Sequence, residues 1–101
     1  MSADEPQCQI IWRVRATADL LGIICYIGKD NPLRAESFSK KIKEKSKPLA
    51  QHPLLGRTGR LPGTRELVVH PNYLLIYRQI ERAGSPVVEI LRIKHITQLL
   101  P

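Results

Sequence analysis

Residues 64–93, TRELVVHPNYLLIYRQIERAGSPVVEILRI, decide the fold of this 101-residue chain. They contain three runs rich in β-branched and aromatic residues, a composition typical of strands: Thr64–His70, Tyr73–Gln79 and Val87–Ile93. Pro71-Asn72 predicts a tight turn between the first two runs, and the residues at 82–86 predict a looser turn before the third. Three strands joined in this way predict an antiparallel meander.

The chain before the meander begins with a predicted strand and helix. The run Cys8–Val14 is short and rich in β-forming residues, which favours a strand. Thr17 is the predicted N-cap of the helix, and Asp19 would then stabilise its first turn through the helix dipole. The apolar residues that follow have the spacing of one helix face: Leu20, Ile23, Ile24 and Ile27. The helix is predicted to end at Gly28.

A second helix is predicted to begin directly afterwards. Asn31 would cap it, and Pro32 would occupy its first position, where the missing N–H of proline costs nothing. Pro48 should break this helix near Ser46-Lys47, with one last turn around Leu49–His52. The predicted apolar stripe of this helix is Ala35, Phe38, Ile42 and Leu49.

These predictions combine into an α+β fold with the order β-α-α-β-β-β, a helical hairpin packed on an antiparallel sheet. The meander has one apolar face to bury, and the two helices are the elements that can cover it. The first strand would extend the sheet at an edge. Residues 53–63 contain three glycines and two prolines, which predicts a loop that carries Arg57 and Arg60. We expect one domain over residues 1–101, with residues 1–7 as a flexible tail.

The charge of the chain is positive and uneven. Lys and Arg number 16 against 9 Asp and Glu, which gives a net charge of +7; residues 1–30 carry −1 and residues 31–101 carry +8. We therefore expect the later part of the chain to bind a polyanion or an acidic protein. The alternative is a solvated basic surface, above all for the five lysines between residues 40 and 47.

The cysteines, the N-terminal residues and the length of the apolar runs indicate the cellular compartment of the protein. Cys8 and Cys25 are far apart in apolar surroundings, which predicts buried thiols in a reducing compartment and no disulfide. Residues 1–7 are polar and lack the apolar core of a signal peptide. No apolar run reaches the roughly 18 residues that a membrane helix needs. Together these features predict a cytoplasmic protein.

Familiar catalytic and cofactor motifs are absent from the sequence, including the phosphate-binding loop, the nucleophile elbow and the His-Glu-x-x-His motif. His52, His70 and His95 are isolated from one another and from the cysteines, so we expect neither a metal nor a cofactor. The remaining candidates are basic, tyrosine and histidine residues of the meander and the loop before it: Arg57, Arg60, Arg65, Tyr73, Tyr77, Arg78, Arg92, Lys94 and His95.

Two interpretations of these candidates stay open. In the functional one, Arg and Lys hold phosphates or acidic groups while a tyrosine or histidine stacks on a base or transfers a proton. In the structural one, the tyrosines pack and the arginines are surface or cross-strand partners. Strand alternation places Tyr73 and Tyr77 on one face and Arg78 on the other, which does not decide which face is open to solvent.

Taken together, these segments resemble the toxins of the RelE/ParE superfamily from bacterial type II toxin–antitoxin modules. The resemblance covers nearly the whole chain and is strongest in PGTRELVV at 62–69, NYLLIYR at 72–78 and ILRIKH at 90–95. Further matching segments, in the same order as in the family, are ADL at 18–20, YIGKDNP at 26–32, LAQHP at 49–53 and GRTGR at 56–60. The resemblance implies the α+β fold described above.

The resemblance also implies a function and partners. It implies a growth-arresting toxin of the kind found in plasmid stabilization modules, neutralised by a cognate antitoxin whose C-terminal segment, often acidic, wraps the toxin. The other half of the antitoxin would bind operator DNA. An antitoxin segment that becomes ordered when it binds can bury a large surface, which fits a basic domain with an apolar groove.

Two branches of the superfamily differ in their target. The YIGKDNP segment and the ending RIKH are more similar to the ParE branch, whose members inhibit DNA gyrase and are not hydrolases. Toxins of the RelE branch cut mRNA in the ribosome without a metal. For that branch the resemblance implies charge stabilisation by Arg65 and Arg78 and proton transfer by Tyr77 and His95. The lysines of the RelE connecting segment have no counterpart between residues 49 and 63, which favours the ParE branch.

Candidates for contact with the target or the antitoxin are Arg57, Arg60, Arg65, Tyr73, Arg92 and Lys94. The sequence leaves open whether the chain is an enzyme, since that depends on the branch. A protein of another class, a nucleic-acid-binding module without toxicity, is the remaining alternative. It predicts salt-sensitive binding of RNA or DNA by the free chain.

Overall fold

A computed structural model describes residues 8–99, so the tail expected at residues 1–7 lies outside the described residues. The elements in chain order are β1 Gln9–Trp12, α1 Val14–Gly28, α2 Pro32–Ser46, β2 Arg57–Thr58, β3 Arg65–His70, β4 Tyr73–Arg82 and β5 Ser85–His95. Short 3-10 helices follow α2 at Lys47–Ala50 and β5 at Ile96–Leu99. The predicted α+β order is confirmed, with one additional short strand, β2.

The strands form one sheet in the order β1-β5-β4-β3-β2. β3, β4 and β5 pair antiparallel and are the predicted meander. β1 lies at an edge, as predicted, but it pairs in parallel with β5, so the sheet is mixed and not purely antiparallel. The chain between β1 and β5, which contains both helices and the other three strands, provides the long connection that neighbouring parallel strands require.

Helices α1 and α2 pack side by side on one face of this sheet, as predicted. The apolar helix residues that are buried are Ala16, Leu20, Ala35, Phe38 and Ile42. The sheet contributes Val69, Leu75, Tyr77, Val88, Ile90 and Ile93 to the buried residues. A buried aliphatic side chain of this size contributes about 1.5–3 kcal/mol to the stability of the fold. No helix in the described part of the chain is long and apolar enough to span a membrane.

The start of α1 differs from the prediction. The helix begins at Val14 with Arg13 as an N-cap that makes no side-chain hydrogen bond. The reason is that β1 already ends at Trp12, and the Arg13 N–H is still bonded to the Ile90 carbonyl at 2.9 Å. Thr17 therefore lies inside the helix, and Asp19 lies beyond the first turn, where the helix dipole has little effect.

The predicted cap, first residue and break of α2 are confirmed, whereas the last turn lies at Lys47–Ala50 and not around Leu49–His52. The Asn31 side chain accepts a hydrogen bond from the Arg34 N–H at 3.0 Å, and Pro32 is the first helical residue. The helix ends at Ser46, and the following 3-10 helix contains Pro48. The five lysines between residues 40 and 47 are all exposed.

Three local predictions are wrong. Two residues of the expected loop form β2, which is too short to show a strand periodicity. The connection before β5 is tighter than expected, since Arg82 pairs with Ser85 around Ala83-Gly84, which have φ of 52° and 81°. Cys25 is exposed, because it lies about 140° around α1 from the buried Leu20.

Candidate functional site

Tyr77 connects the sheet to the loop that follows α2. Its side chain is fully buried, and its hydroxyl donates to the Pro53 carbonyl and accepts the Gly56 N–H, both at 2.8 Å. Burial raises the pKa of Tyr77 above its usual 10.0, although the Gly56 N–H and the charge of Arg65 act in the opposite direction. The hydroxyl is therefore protonated at neutral pH, and its proton is bound to a backbone carbonyl.

Arg65 holds the same loop from β3. It is paired directly opposite Tyr77, and its Nη1 donates to the carbonyl oxygens of Gly56 at 2.7 Å and Leu54 at 3.4 Å. Gly56 itself is buried. A Cβ at this position would lie 2.7 Å from the Glu66 carbonyl oxygen and 2.9 Å from the Tyr77 side chain, closer than real Cβ contacts. Only glycine fits between β3 and the tyrosine.

Glu66 provides a buried carboxylate for the cations of this loop. Its side chain is 4% exposed, and its Oε1 accepts from Arg57, with the carboxylate 3.2 Å from Nε and 3.1 Å from Nη2. Its Oε2 accepts the backbone N–H of Arg60 at 3.2 Å. A buried carboxylate requires a partner charge and hydrogen bonds. Residues 53–63, which we call the braced loop, are thus held by Tyr77, Arg65 and Glu66.

A second buried carboxylate, Glu89 in β5, binds Arg78 of β4 and Arg13 before α1. Arg78 lies directly opposite in β4 and places its Nε 2.6 Å from Glu89 Oε1, while Arg13 places its Nε 3.3 Å from Oε2. Successive residues of a strand point to opposite faces. The Arg78 guanidinium therefore lies on the face away from the helices and from the Tyr77 side chain.

Tyr73 is the centre of an aromatic cluster at the other end of β4. Its ring centroid lies 5.5 Å from Phe38, 5.6 Å from His70 and 5.1 Å from His95. The partner rings come from α2, β3 and β5, so this cluster connects three elements. Tyr73 is only partly buried, and one side of the cluster borders an open groove.

The two histidines of this cluster use their Nδ1 atoms as acceptors. His70 Nδ1 accepts the Asn72 N–H at 3.0 Å, and His95 Nδ1 accepts the Thr97 N–H at 3.2 Å. The Thr97 hydroxyl lies 2.7 Å from the same His95 nitrogen. An imidazole nitrogen that accepts carries no proton, so the neutral rings have their proton on Nε2.

Asp19 connects α1 to β5 beside the aromatic cluster. Its carboxylate accepts from Arg92 Nε at 2.8 Å, from Arg92 Nη2 at 3.1 Å and from the Ile93 N–H at 2.9 Å. Burial alone would raise the pKa of Asp19, but these hydrogen bonds and the charges of Arg92 and Lys94 outweigh it, so the pKa lies below its usual 3.8. The same carboxylate raises the pKa of Arg92.

An open groove extends along α1 next to these residues. It consists of two cavities of about 370 and 290 Å³, which share Tyr26 and Tyr73 in their lining. Asp19 and His95 line the larger one. Within residues 8–99, no three His, Cys, Asp or Glu side chains come together in a way that could hold a metal ion.

The structure does not bring the four nuclease candidates together. Arg65 and Tyr77 are neighbours, but both are bonded to the backbone of the braced loop. Arg78 lies on the other face of the sheet. His95 is paired with Tyr73, four residues along β4 from Tyr77, which is about 13 Å.

The binding candidates fall into two regions. Arg57, Arg60 and Arg65 belong to the braced loop and its support, whereas Tyr73, Arg92 and Lys94 lie beside the groove. Sequence reasoning missed the residues that hold them in place, which are Asp19, Phe38, Glu66, His70 and Glu89. For Glu89 a signal existed, since a carboxylate between apolar residues of a predicted strand needs a cationic partner.

Comparison with known proteins identifies the class of protein that this fold and site define. The profile of the family described as "ParE toxin of type II toxin-antitoxin system, parDE" matches residues 10–100. Toxin RelE2 of Caulobacter vibrioides is 37% identical over 91 residues, which cover 90% of this chain and 98% of that toxin. The class is that of the small toxins of bacterial type II toxin–antitoxin systems.

Within this class, the chain belongs to the ParE toxin family, which confirms the predicted RelE/ParE superfamily. A chain from the chromosomal ParDE system of P. aeruginosa matches with a TM-score of 0.78 and 26% identity, over 91% of this chain and 99% of that one. A chain from the E. coli DinJ-YafQ toxin–antitoxin complex, at a TM-score of 0.57 and 16% identity, shares the fold over 94% of this chain and 99% of that one.

Proposed function

We propose that this toxin arrests bacterial growth by binding and inhibiting DNA gyrase, and that it does so without hydrolysing RNA. The observation that carries this proposal is the arrangement of the four nuclease candidates. Metal-independent RNA cleavage needs a proton donor, a proton acceptor and cations around one phosphate. Tyr77 is buried with its hydroxyl bonded on both sides. His95 in β5 pairs with Tyr73, which lies four residues, about 13 Å, along β4 from Tyr77.

The charge of the chain supports a protein partner as well. Three arginines are bound to buried carboxylates, Arg57 to Glu66 and both Arg13 and Arg78 to Glu89. Each carboxylate cancels part of the positive charge that a phosphate would encounter.

We also propose a cognate antitoxin that neutralises the toxin in the cytoplasm and binds operator DNA. The P. aeruginosa relative comes from a ParDE system and the E. coli one from a toxin–antitoxin complex, which supports such a partner. On this chain, α1 leaves Val14, Leu21 and Tyr26 exposed, and Tyr26 lines the groove. An antitoxin segment that carries both apolar and acidic residues would bind the exposed apolar residues of α1 and the positive charge of the chain.

Expression of the chain without its antitoxin tests the proposed function. Growth should stop, and pulse labelling should show an early loss of DNA synthesis together with a DNA-damage response. In a supercoiling assay, the purified chain should inhibit gyrase. Normal growth of cells that demonstrably contain the folded protein would contradict the assignment as a toxin.

The same cultures test the mRNA-nuclease alternative. An immediate loss of protein synthesis, with new 5′ ends inside the codons of a reporter mRNA, would replace gyrase by the ribosome as the target. Arg78→Ala is then the informative variant, because it removes a sheet arginine without touching the braced loop. Full toxicity of this variant is expected if the chain inhibits gyrase.

A further inference from the structure

The braced loop combines exposed leucines with cations in a backbone that the fold holds in place. Leu54, Leu55 and Leu61 are 62%, 52% and 63% exposed. Between residues 47 and 65 the chain carries four Lys or Arg and no Asp or Glu. Exposed apolar groups rimmed by charge mark interaction sites more often than chance exposure does.

The rigidity of this loop is the second observation. Tyr77 and Arg65 bind the backbone at Pro53, Leu54 and Gly56 through four hydrogen bonds from inside the fold. The Leu55 N–H bonds to the His52 carbonyl at 3.0 Å. Leu54 and Leu55 line an open depression of about 550 Å³. A loop that is ordered before binding loses little entropy on binding.

The far end of the loop is also tied to the sheet. The Gly59 N–H bonds to the Thr64 carbonyl at 2.8 Å, and the Thr64 hydroxyl bonds to the Leu61 carbonyl at 2.7 Å. A Cβ at Gly59 would clash with the Thr64 hydroxyl oxygen, so the two backbone segments are in close contact. Leu61 is thereby held in place at the opposite end from Leu54.

We propose that the braced loop is the surface with which this toxin binds an acidic, partly apolar surface of its protein target. Tyr77 and Arg65 are positioning residues that present the loop. The proposal rests on the proposed function, because it assigns that function to a surface. It separates the target surface from the groove along α1, which we assign to the antitoxin.

The residue types favour a protein over a nucleic acid at this surface. Binding of single-stranded RNA or DNA typically uses aromatic side chains that stack on bases, and residues 53–63 contain no Phe, Tyr, Trp or His. Leucines find their complement in apolar protein surface. The Arg57 side chain, which is 61% exposed beside Glu66, would then contact a carboxylate at the rim of the interface.

The double variant Leu54→Ser, Leu55→Ser tests the proposal in the growth-arrest and gyrase assays. We expect inhibition of purified gyrase to require about tenfold more protein or more, because two apolar contacts are lost. Leu33→Ser is the matched control, since Leu33 is 79% exposed at the start of α2 and should leave inhibition unchanged. Circular dichroism and the unfolding midpoint should be the same for all three proteins.

Tyr77→Phe tests the positioning role. At a temperature at which this variant is fully folded, gyrase inhibition should still be weaker. Inhibition should recover when the variant is assayed at concentrations that saturate the weakened complex. A variant that is merely less stable would instead inhibit as the wild type does once it is folded, and that result would overturn the positioning role.

The outcomes separate this proposal from the one on which it rests. If the wild type fails to arrest growth, the proposed function falls and this proposal with it. If the wild type arrests growth and the double leucine variant arrests it equally, the docking surface alone is overturned. Competition of a short single-stranded RNA with gyrase at this loop would overturn the assignment to a protein partner.

Discussion

Tyr73 and Tyr77 lie on the same face of the same strand, four residues apart, and the structure gives them different surroundings. Tyr77 is fully buried, and both hydrogen-bonding positions of its hydroxyl are occupied by backbone groups of the braced loop. Tyr73 is partly buried against aromatic rings and borders the groove along α1. Within residues 8–99 its hydroxyl makes no hydrogen bond.

The difference comes from the segments that the chain brings next to each end of β4. At Tyr77 the neighbour is a glycine-rich loop, whose backbone offers an N–H and a carbonyl without a side chain in between. At Tyr73 the neighbours are rings from α2, β3 and β5, which pack against its ring and do not contact its hydroxyl through a hydrogen bond. The same residue type thus acts as a hydrogen-bonding brace at one end and as a packing group at the other.

Gly56→Ala should give the largest effect, because it directly disturbs the contact between loop and Tyr77. The new methyl group would meet the Glu66 carbonyl at 2.7 Å, and backbone cannot yield as a side chain does. We expect a loss of about 3 kcal/mol in the free energy of unfolding, measured by urea denaturation.

The control for this variant is Gly22→Ala on the exposed side of α1. No atom lies within 4 Å of a Cβ at Gly22, so alanine should stabilise the helix by about 0.5–1 kcal/mol. A Gly56→Ala protein as stable as the wild type would show that the loop can move away from Tyr77. That result would contradict the conclusion that Tyr77, unlike Tyr73, holds a loop in place.

Tyr77→Phe should have the second-largest effect. It leaves the Gly56 N–H and the Pro53 carbonyl without their partner in a buried place, which costs about 2 kcal/mol. Chemical denaturation measures the loss, and Tyr26→Phe at an exposed position should change nothing. Because the pKa of Tyr77 is raised above its usual 10.0, the stability that its hydroxyl contributes is present below pH 10 and is lost as the pH rises through the folded pKa.

Asp19→Asn addresses the Tyr73 end of the molecule. It weakens the hydrogen bonds to Arg92 and to the Ile93 N–H, and we expect a loss of about 1–2 kcal/mol at neutral pH. Because the folded pKa of Asp19 lies below the unfolded one, the contribution is present above the unfolded value and is lost as the pH falls through the folded value.

The measurement is the difference in unfolding free energy between wild type and Asp19→Asn as a function of pH. The difference should be constant at neutral pH and should shrink towards zero in acid. Asp30→Asn, at an exposed position after α1, is the control. A difference that does not depend on pH would mean that the carboxylate charge of Asp19 is not what joins α1 to β5.

Tyr73→Phe should have the smallest effect. The ring contacts with Phe38 and His95 remain, and no hydrogen bond among the described residues is lost. We expect a change of less than about 0.5 kcal/mol in the free energy of unfolding. A loss as large as that of Tyr77→Phe would show that the two hydroxyls are equally important and would contradict the comparison.

Local patterns were enough for most of the fold. The β-rich runs of residues 64–93 and the cap at Asn31-Pro32 depend on neighbours in sequence, and the structure confirms both. The start of α1 was wrong because Arg13 is held by β5, a contact across more than seventy residues. The same holds for the parallel pairing of β1, which depends on how the crossover places this strand.

The candidate site was predicted less well, for the same physical reason. Residue types and alternation placed Tyr73 and Tyr77 on one face of β4 and listed the arginines as candidates. The partners of those arginines, Glu66 and Glu89, lie on neighbouring strands and could not be assigned before the register was known. As long as those partners are unknown, the sequence does not distinguish an arginine that binds a ligand from one that forms an ion pair within the fold.

The α+β class, the meander and the helical hairpin could be read from the sequence, because composition and periodicity are local along the chain. The toxin superfamily came from the resemblance of the ordered motifs to those of known toxins. Only the tertiary structure decided that Tyr77 supports a loop, that Tyr73 faces a groove and that Asp19 joins α1 to β5. A hydrogen bond forms only at a specific distance and angle, and that geometry exists only once distant segments have packed together.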